Sequence, residues 1–354
     1  MANADRFYIG ANDEHGQNPP TVGKRTPVMP YINRSFYENE FNRPAKYYFL
    51  IACLRTGYIV FDVKPELSDL SISSRVSRIN RQGLTALVTF AYNAAANATT
   101  FSASNGFEIF YSRENYYITL SRLLAYDVSA GLANEIPLRN LGVSTLTEIG
   151  VLRSVNCPSV IAECGFMTNF NEAKLMVDPD FQQSCGDGAC IGVCENLDVA
   201  YVPEIYYTSL PTLRLGYRGK SVQLLQCYLN LYGEALTVDG VFGADTLEAT
   251  KEFQAQNNLT VDGIVGRNTW LYLTRQAPLP TLRRGDRGVY VRYLQQKLLS
   301  KLYPVGTVDG VFGSNTLNAV EQFQQENGLT ADGIVGRLTW SRLTPIGGGR
   351  QLRN

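Results

Sequence analysis

Residues 159–166, SVIAECGF, are a run of β-branched and small apolar residues broken by one acid, Glu163. Such a run reads as a short buried strand. Three others share its character: RFYIGAN at 6–12, YIVFDV at 58–63 and ALVTFAYN at 86–93. Between them, SISSRVSRIN at 71–80 and ITLSRLLAYDVSAGL at 118–132 carry helical spacing. Strands alternating with helices predict a three-layer α/β/α domain with a largely parallel sheet, placed here at residues 1–205. In such sheets ligands gather beyond the carboxyl ends of the strands. His15, the only histidine of 354 residues, follows the first strand, Ala91 to Asn93 end a later one, and Glu163 ends the last. An unpaired carboxylate is costly to bury, so Glu163 is expected to have a site role or a specific partner. Cys164 faces the other side of the strand and reads as core.

The remainder of the chain repeats itself. PTLRLGYRGKSVQLLQCYL begins at Pro211 and PTLRRGDRGVYVRYLQQKL at Pro280; VDGVFGADTLEATKEFQAQNNLTVDGIVGRNTW ends at Trp270 and its counterpart VDGVFGSNTLNAVEQFQQENGLTADGIVGRLTW at Trp340. Val222, Leu225 and Leu229 make an i, i+3, i+7 face, and each unit reads as a small all-α module of three helices. Asp239, Asp262, Asp309 and Asp332 each precede a glycine, where a tight turn calls for positive φ. The units are placed at 206–275 and 276–345 with a tail at 346–354. RQAPLP, 275–280, reads as a linker, and proteolysis is expected near 200–211 or 275–280 before either core is entered.

Lys plus Arg and Asp plus Glu are both 32, so net charge recruits neither nucleic acid nor an anionic membrane. No stretch approaches the ~20 apolar residues of a membrane span, and MANADRFYIG lacks the pattern of a secretion signal. Seven cysteines without a C-x-x-C pair read as reduced, mostly buried thiols; if Cys190 and Cys194 lie one helical turn apart, their spacing does not suit a relaxed disulfide.

Both repeats resemble the type 1 peptidoglycan-binding module, whose pattern runs Leu-x-x-Gly-x-x-Gly-x-x-Val, D-G-x-F-G, F-Q and D-G-I-V-G-x-x-T-W. The resemblance implies peptidoglycan as partner, without saying which residues touch it, since both tryptophans can serve as core. Residues 5 to 195 resemble the zinc-dependent N-acetylmuramoyl-L-alanine amidases. EHGQNPPTVGKR stands for the family's opening, YENEFN puts Glu38 at its second ligand position, and GVSTLTEIGVLRSVNCPSVIAECGFMTNFNEAKLMVDPDFQ puts Glu163 at its catalytic glutamate. His15 and Glu38 are thereby implied metal ligands. The family's third motif, S-I-H-x-N-A, is TFAYNA here, with Ala91 where the last histidine ligand belongs.

A hydrolytic zinc needs three protein ligands and an open fourth position, and His15 and Glu38 are two. Tyr92, Asp13 or Glu14 lie near enough in sequence to substitute, but no spacing recommends them. The favoured expectation is a wall-binding pseudo-amidase with zinc absent or weakly bound, at the cell wall, the spore envelope or outside the cell. An active amidase, through an unusual ligand set or because Ala91 is an inactivating substitution, is the second reading. A self-associating structural protein of a spore envelope or phage is the third.

Overall fold

The computed structural model describes residues 2–16, 25–95 and 99–344. The tail at 346–354 and most of the segment after His15 lie outside them. The N-terminal half runs β1 (Tyr8–Asp13), α1 (Asn39–Thr56), β2 (Ile59–Asp62), α2 (Ile72–Asn80), β3 (Ala86–Asn93), β4 (Phe107–Tyr111), α3 (Ile118–Glu135), β5 (Asn140–Thr145), α4 (Gly150–Arg153), β6 (Ser159–Phe166), α5 (Phe170–Leu175) and α6 (Pro179–Asn196). The sheet order is β2-β1-β3-β6-β4-β5. All neighbours are parallel except β4 and β6, which are antiparallel. The sheet is therefore largely parallel, as expected, and the four anticipated strands form its contiguous part.

Alternation along the strands makes the three layers. Val88, Phe90, Tyr92, Val160, Ala162 and Cys164 pack with α1, α3 and α6. Leu87, Ala91 and Ile161 turn to the other face, against Ile79, Val151 and Leu152 of α2 and α4. The stretch SCGDGACIGVC owes its character to its glycines. A Cβ on Gly186 would lie 2.6 Å from Phe49 N, one on Gly188 3.0 Å from Leu132 Cα, and one on Gly192 2.4 Å from Val128 Cα. Each helical glycine costs roughly 0.5–1 kcal/mol against alanine, and here it lets α6 approach α1 and α3. Cys53 of α1 and Cys185, Cys190 and Cys194 of α6 are among the residues buried there, and all seven cysteines are free and buried. Pro44 lies inside α1 and cannot bond back to the carbonyl of Glu40; Gln182 Nε2 donates to that carbonyl instead, at 2.9 Å.

Each C-terminal repeat is a three-helix module: α7 (Lys220–Leu231), α8 (Ala244–Gln256) and α9 (Arg267–Leu273), then α10 (Val289–Ser300), α11 (Ser314–Glu326) and α12 (Arg337–Leu343). The four Asp-Gly turns place Gly240, Gly263, Gly310 and Gly333 at φ between 69° and 73°. A buried glutamine organises each one. Gln226 Nε2 donates to Asp239 Oδ1 and Val241 O, and its Oε1 accepts from Gly240 N. Gln254, Gln295 and Gln324 repeat this at the other turns. Trp270 and Trp340 are core residues whose indole N–H groups tie to Pro211 O and Pro280 O, both at 2.8 Å. Among the described residues no helix is long and apolar enough to cross a membrane.

The expected linker is a junction. Arg275 lies between the halves, its guanidinium donating to Tyr48 OH and Gln183 Oε1. Gln276 Nε2 donates to Ile205 O, and Tyr290 OH to Ala277 O. On one side α7 packs on α1, where Arg43 Nη2 donates to Glu234 O at 2.7 Å. On the other, Lys297 and Ser300 of α10 donate to Asp178, and Lys297 and Tyr293 to Asp180. A segment packed this way resists proteases. Limited proteolysis of the full chain followed by gel filtration should therefore release no free module, and cuts at 202–206 should leave the pieces associated. A free C-terminal fragment beginning near residue 206 would contradict the docking.

Candidate metal site

β1 ends at Asp13, whose buried carboxylate anchors the turn that follows. Lys46 Nζ sits 2.8 Å from Asp13 Oδ1 and 2.8 Å from Asp62 Oδ1, and Lys64 Nζ is 3.1 Å from Asp13 Oδ2. Burial by itself would raise the Asp13 carboxyl; the charges of Lys46, Lys64 and Arg43 outweigh it and hold the group at about 2. Burial pushes the Lys64 ammonium down, with Asp13 opposing. Arg75 Nη1, from the opposite face, bonds Asn12 Oδ1 at 2.7 Å and also the carbonyl of Asp13.

On this anchored strand end the chain turns sharply, with His15 at φ 62°, a conformation that disfavours non-glycine residues. Glu14 N–H donates to Phe90 O at 3.2 Å, and Asn42 Nδ2 donates to Glu14 O at 3.0 Å. Glu38 occupies the N-cap position of α1 and is 3% exposed. Its Oε1 accepts from Tyr92 N and from Asn42 Nδ2, each at 3.0 Å. Its Oε2 lies 3.4 Å from His15 Nε2, and Glu14 Oε2 lies 3.8 Å from the same nitrogen. One ligand atom from each of Glu14, His15 and Glu38 lies within 4.8 Å of the others.

Ala91 is buried and stands beside this group on β3. On its other side it pairs with Glu163 of β6, which in turn pairs with Glu108 of β4. Glu163 is half-buried. Cys164 is fully buried on the opposite face. Two of the suggested substitute ligands are committed elsewhere: Tyr92 OH donates to Glu172 O at 2.8 Å, and Asp13 is held by its lysines. Glu172 itself is structural. Burial raises its carboxyl, while backbone N–H groups of Phe166 and Gly106, at 2.8 and 2.7 Å, act to lower it.

His15 and Glu38 converge, and the methyl group of Ala91 offers no donor. Sequence reasoning missed Asn42 and Lys46, which hold the site from α1. The one available signal was the i, i+4 spacing of Glu38 and Asn42 on a helix starting at the site.

The sequence profile of the N-acetylmuramoyl-L-alanine amidase family matches residues 16–195, and that of a putative peptidoglycan binding domain matches 218–273 and 287–343. N-acetylmuramoyl-L-alanine amidase CwlM of Mycobacterium tuberculosis is 34% identical over 149 residues, 36% of this chain and 36% of that protein. CwlL of Bacillus licheniformis, also an N-acetylmuramoyl-L-alanine amidase, is 31% identical over 163 residues, 38% of this chain and 45% of that protein. The matches thus span between about a third and a half of these relatives' lengths. The structure of an N-acetylmuramoyl-L-alanine amidase from Clostridium difficile 630 superposes with a TM-score of 0.47 at 24% identity, covering 56% of this chain and 98% of that one.

Proposed function

Because the chain belongs to the N-acetylmuramoyl-L-alanine amidase family and carries two peptidoglycan-binding domains behind the amidase fold, we propose that it is a cell-wall-binding pseudo-amidase. The proposed units are 1–205, 206–275 and 276–345. The carrying observation is Ala91, buried between the Glu14, His15 and Glu38 group and Glu163 with no atom to give a metal. In the family, zinc polarises the scissile amide and activates water, and a glutamate in the position of Glu163 exchanges the proton. Here Glu163 remains on β6, and the inherited His-Glu-His set does not. The protein binds wall polymer, at the cell wall or outside the cell, and does not cut the bond between muramic acid and L-alanine. It should release no stem peptide from muropeptides; release by the unmodified chain would overturn this reading.

The docked modules bear on the binding half of the proposal. Asn257 at the end of α8 accepts from Val289 N at 2.8 Å, capping the first helix of the second module. The two modules therefore meet a polymer at a set spacing, and joint engagement on one strand multiplies affinity by about 10² or more where the geometry matches. The full chain should pellet with purified sacculi, and residues 1–205, checked for folding by circular dichroism, should stay in the supernatant. Equal pelleting by residues 1–205 would move wall binding away from the modules.

A further inference from the structure

Four strands lie side by side at the site, and their register fixes which side chains share a row. Asp13 pairs with Phe90, Ala91 with Glu163, and Glu163 with Glu108. One residue past Asp13, the Glu14 N–H still donates to Phe90 O, so the line of β1 continues and brings residue 14 opposite Ala91. Asn12 and Thr89 share a face, their side chains meeting at 3.4 Å. Two residues on, Glu14 and Ala91 share that face too. A carboxylate beside the position that the resemblance gives the family's second histidine thus comes from the adjacent strand line, across β3 from Glu163.

The donor geometry agrees. Ligands about 2.1 Å from a tetrahedral cation lie about 3.4 Å from one another. Glu38 Oε2 is 3.4 Å from His15 Nε2, and Glu14 Oε2 is 3.8 Å from it. The donors are also aimed. Glu38 has its other oxygen fixed by Tyr92 N and Asn42, and Asn42, fully buried, holds the Glu14 backbone with the same amide nitrogen. Hydrogen-bonded supports of this kind set ligand orientation in metal sites.

We propose that Glu14 is the replacement third donor, so that Glu14, His15 and Glu38 hold a divalent cation through one imidazole nitrogen and two carboxylate oxygens. The proposal rests on reading this group as a descendant of the amidase metal site. Two carboxylates cancel the charge of a divalent cation, whereas the family's set has one, so the rebuilt centre is a weak Lewis acid. It clamps the turn after β1 to the start of α1. An oxygen-rich set also narrows the preference for zinc over manganese, since carboxylates suit the harder ion.

The test uses the full chain, stripped with chelator and titrated calorimetrically with Mn²⁺ and Zn²⁺ separately. One equivalent of either ion should bind and raise the melting temperature. Glu14→Gln should lower affinity for both ions by at least about tenfold, with the melt in chelator unchanged. In an Ala91→His background, where an imidazole restores the family's set, Glu14→Gln should cost zinc affinity far less. A folded wild-type chain that takes up neither ion, or unchanged affinity in Glu14→Gln, overturns the proposal and leaves an ion-paired triad. Stem-peptide release is read separately, so loss of the pseudo-amidase reading and loss of the Glu14 assignment are distinguishable.

Discussion

Ala91→His is expected to raise zinc affinity by about 10²-fold or more over the unmodified chain, since even outer partners of metal ligands are worth 10–100-fold. The position is prepared for it. Ala91 lies one strand from the Glu14 line and one strand from Glu163, and Glu38 accepts from the very next backbone N–H, that of Tyr92. An imidazole there would be the second nitrogen donor of an open tetrahedral site. The gain should be larger for Zn²⁺ than for Mn²⁺, because imidazole suits the softer ion. Ala91→Leu, similar in bulk and without a donor, reads the cost of packing in the apolar cluster of Leu87, Ile161 and Leu152. No gain from histidine beyond the leucine control would mean that residue 91 does not correspond to the family's ligand position.

The second large effect is on stability. Lys46→Met should destabilise the chain by about 3–5 kcal/mol, the range for removing one partner of a buried ion pair, measured by urea denaturation at pH 7. Lys46 is fully buried and donates to Asp13, Asp62 and the carbonyl of Lys64. Its loss leaves two carboxylates in the interior facing one remaining ammonium. In the wild type the Asp13 carboxyl sits at about 2 against 3.8 for the free group. Its contribution is therefore complete above about pH 4 and lost as pH falls through about 2. In Lys46→Met the strongest of the charges lowering it is gone, so the acid loss should begin at higher pH. Adding Asp13→Asn should recover part of the stability by removing the stranded charge. A change under about 1 kcal/mol would mean the lysine is not the keystone of this network.

The same residues mark how far the sequence could be read. SVIAECGF, ALVTFAYN and their companions are strands at the stated positions because a parallel sheet covered on both faces demands continuous apolar runs. β4 and β5 were not anticipated. FEIFY alternates buried and half-buried residues beside the one antiparallel junction, and β5 is an edge strand without a fully buried residue. Neither has the continuous run that marked the others. The Asp-Gly turns were legible because positive φ leaves a mark in residue choice, whereas the turn-holding role of the glutamines was not, even for Gln254 and Gln324 of the F-Q motif, since a buried amide within a helix looks like any polar position. At the site, His15, Glu38 and Glu163 could be named from motifs. Glu14 could not be chosen over Asp13, because only the strand register shows which of two adjacent carboxylates turns to the lysines and which to His15.

The packing of α7 on α1 also sets an order of events as the chain is made. The sheet joins Leu87 to Ser159 across about 70 residues of chain, the kind of distant pairing that forms slowly. Each module closes its turns over 8 to 14 residues, so each can form soon after it leaves the ribosome. Yet the face of α1 that packs on α7 has to wait for that helix, more than 160 residues later in the chain, to be synthesised. The amidase half emerges first and is finished last, completed by a part of the chain whose own folding is fast and local.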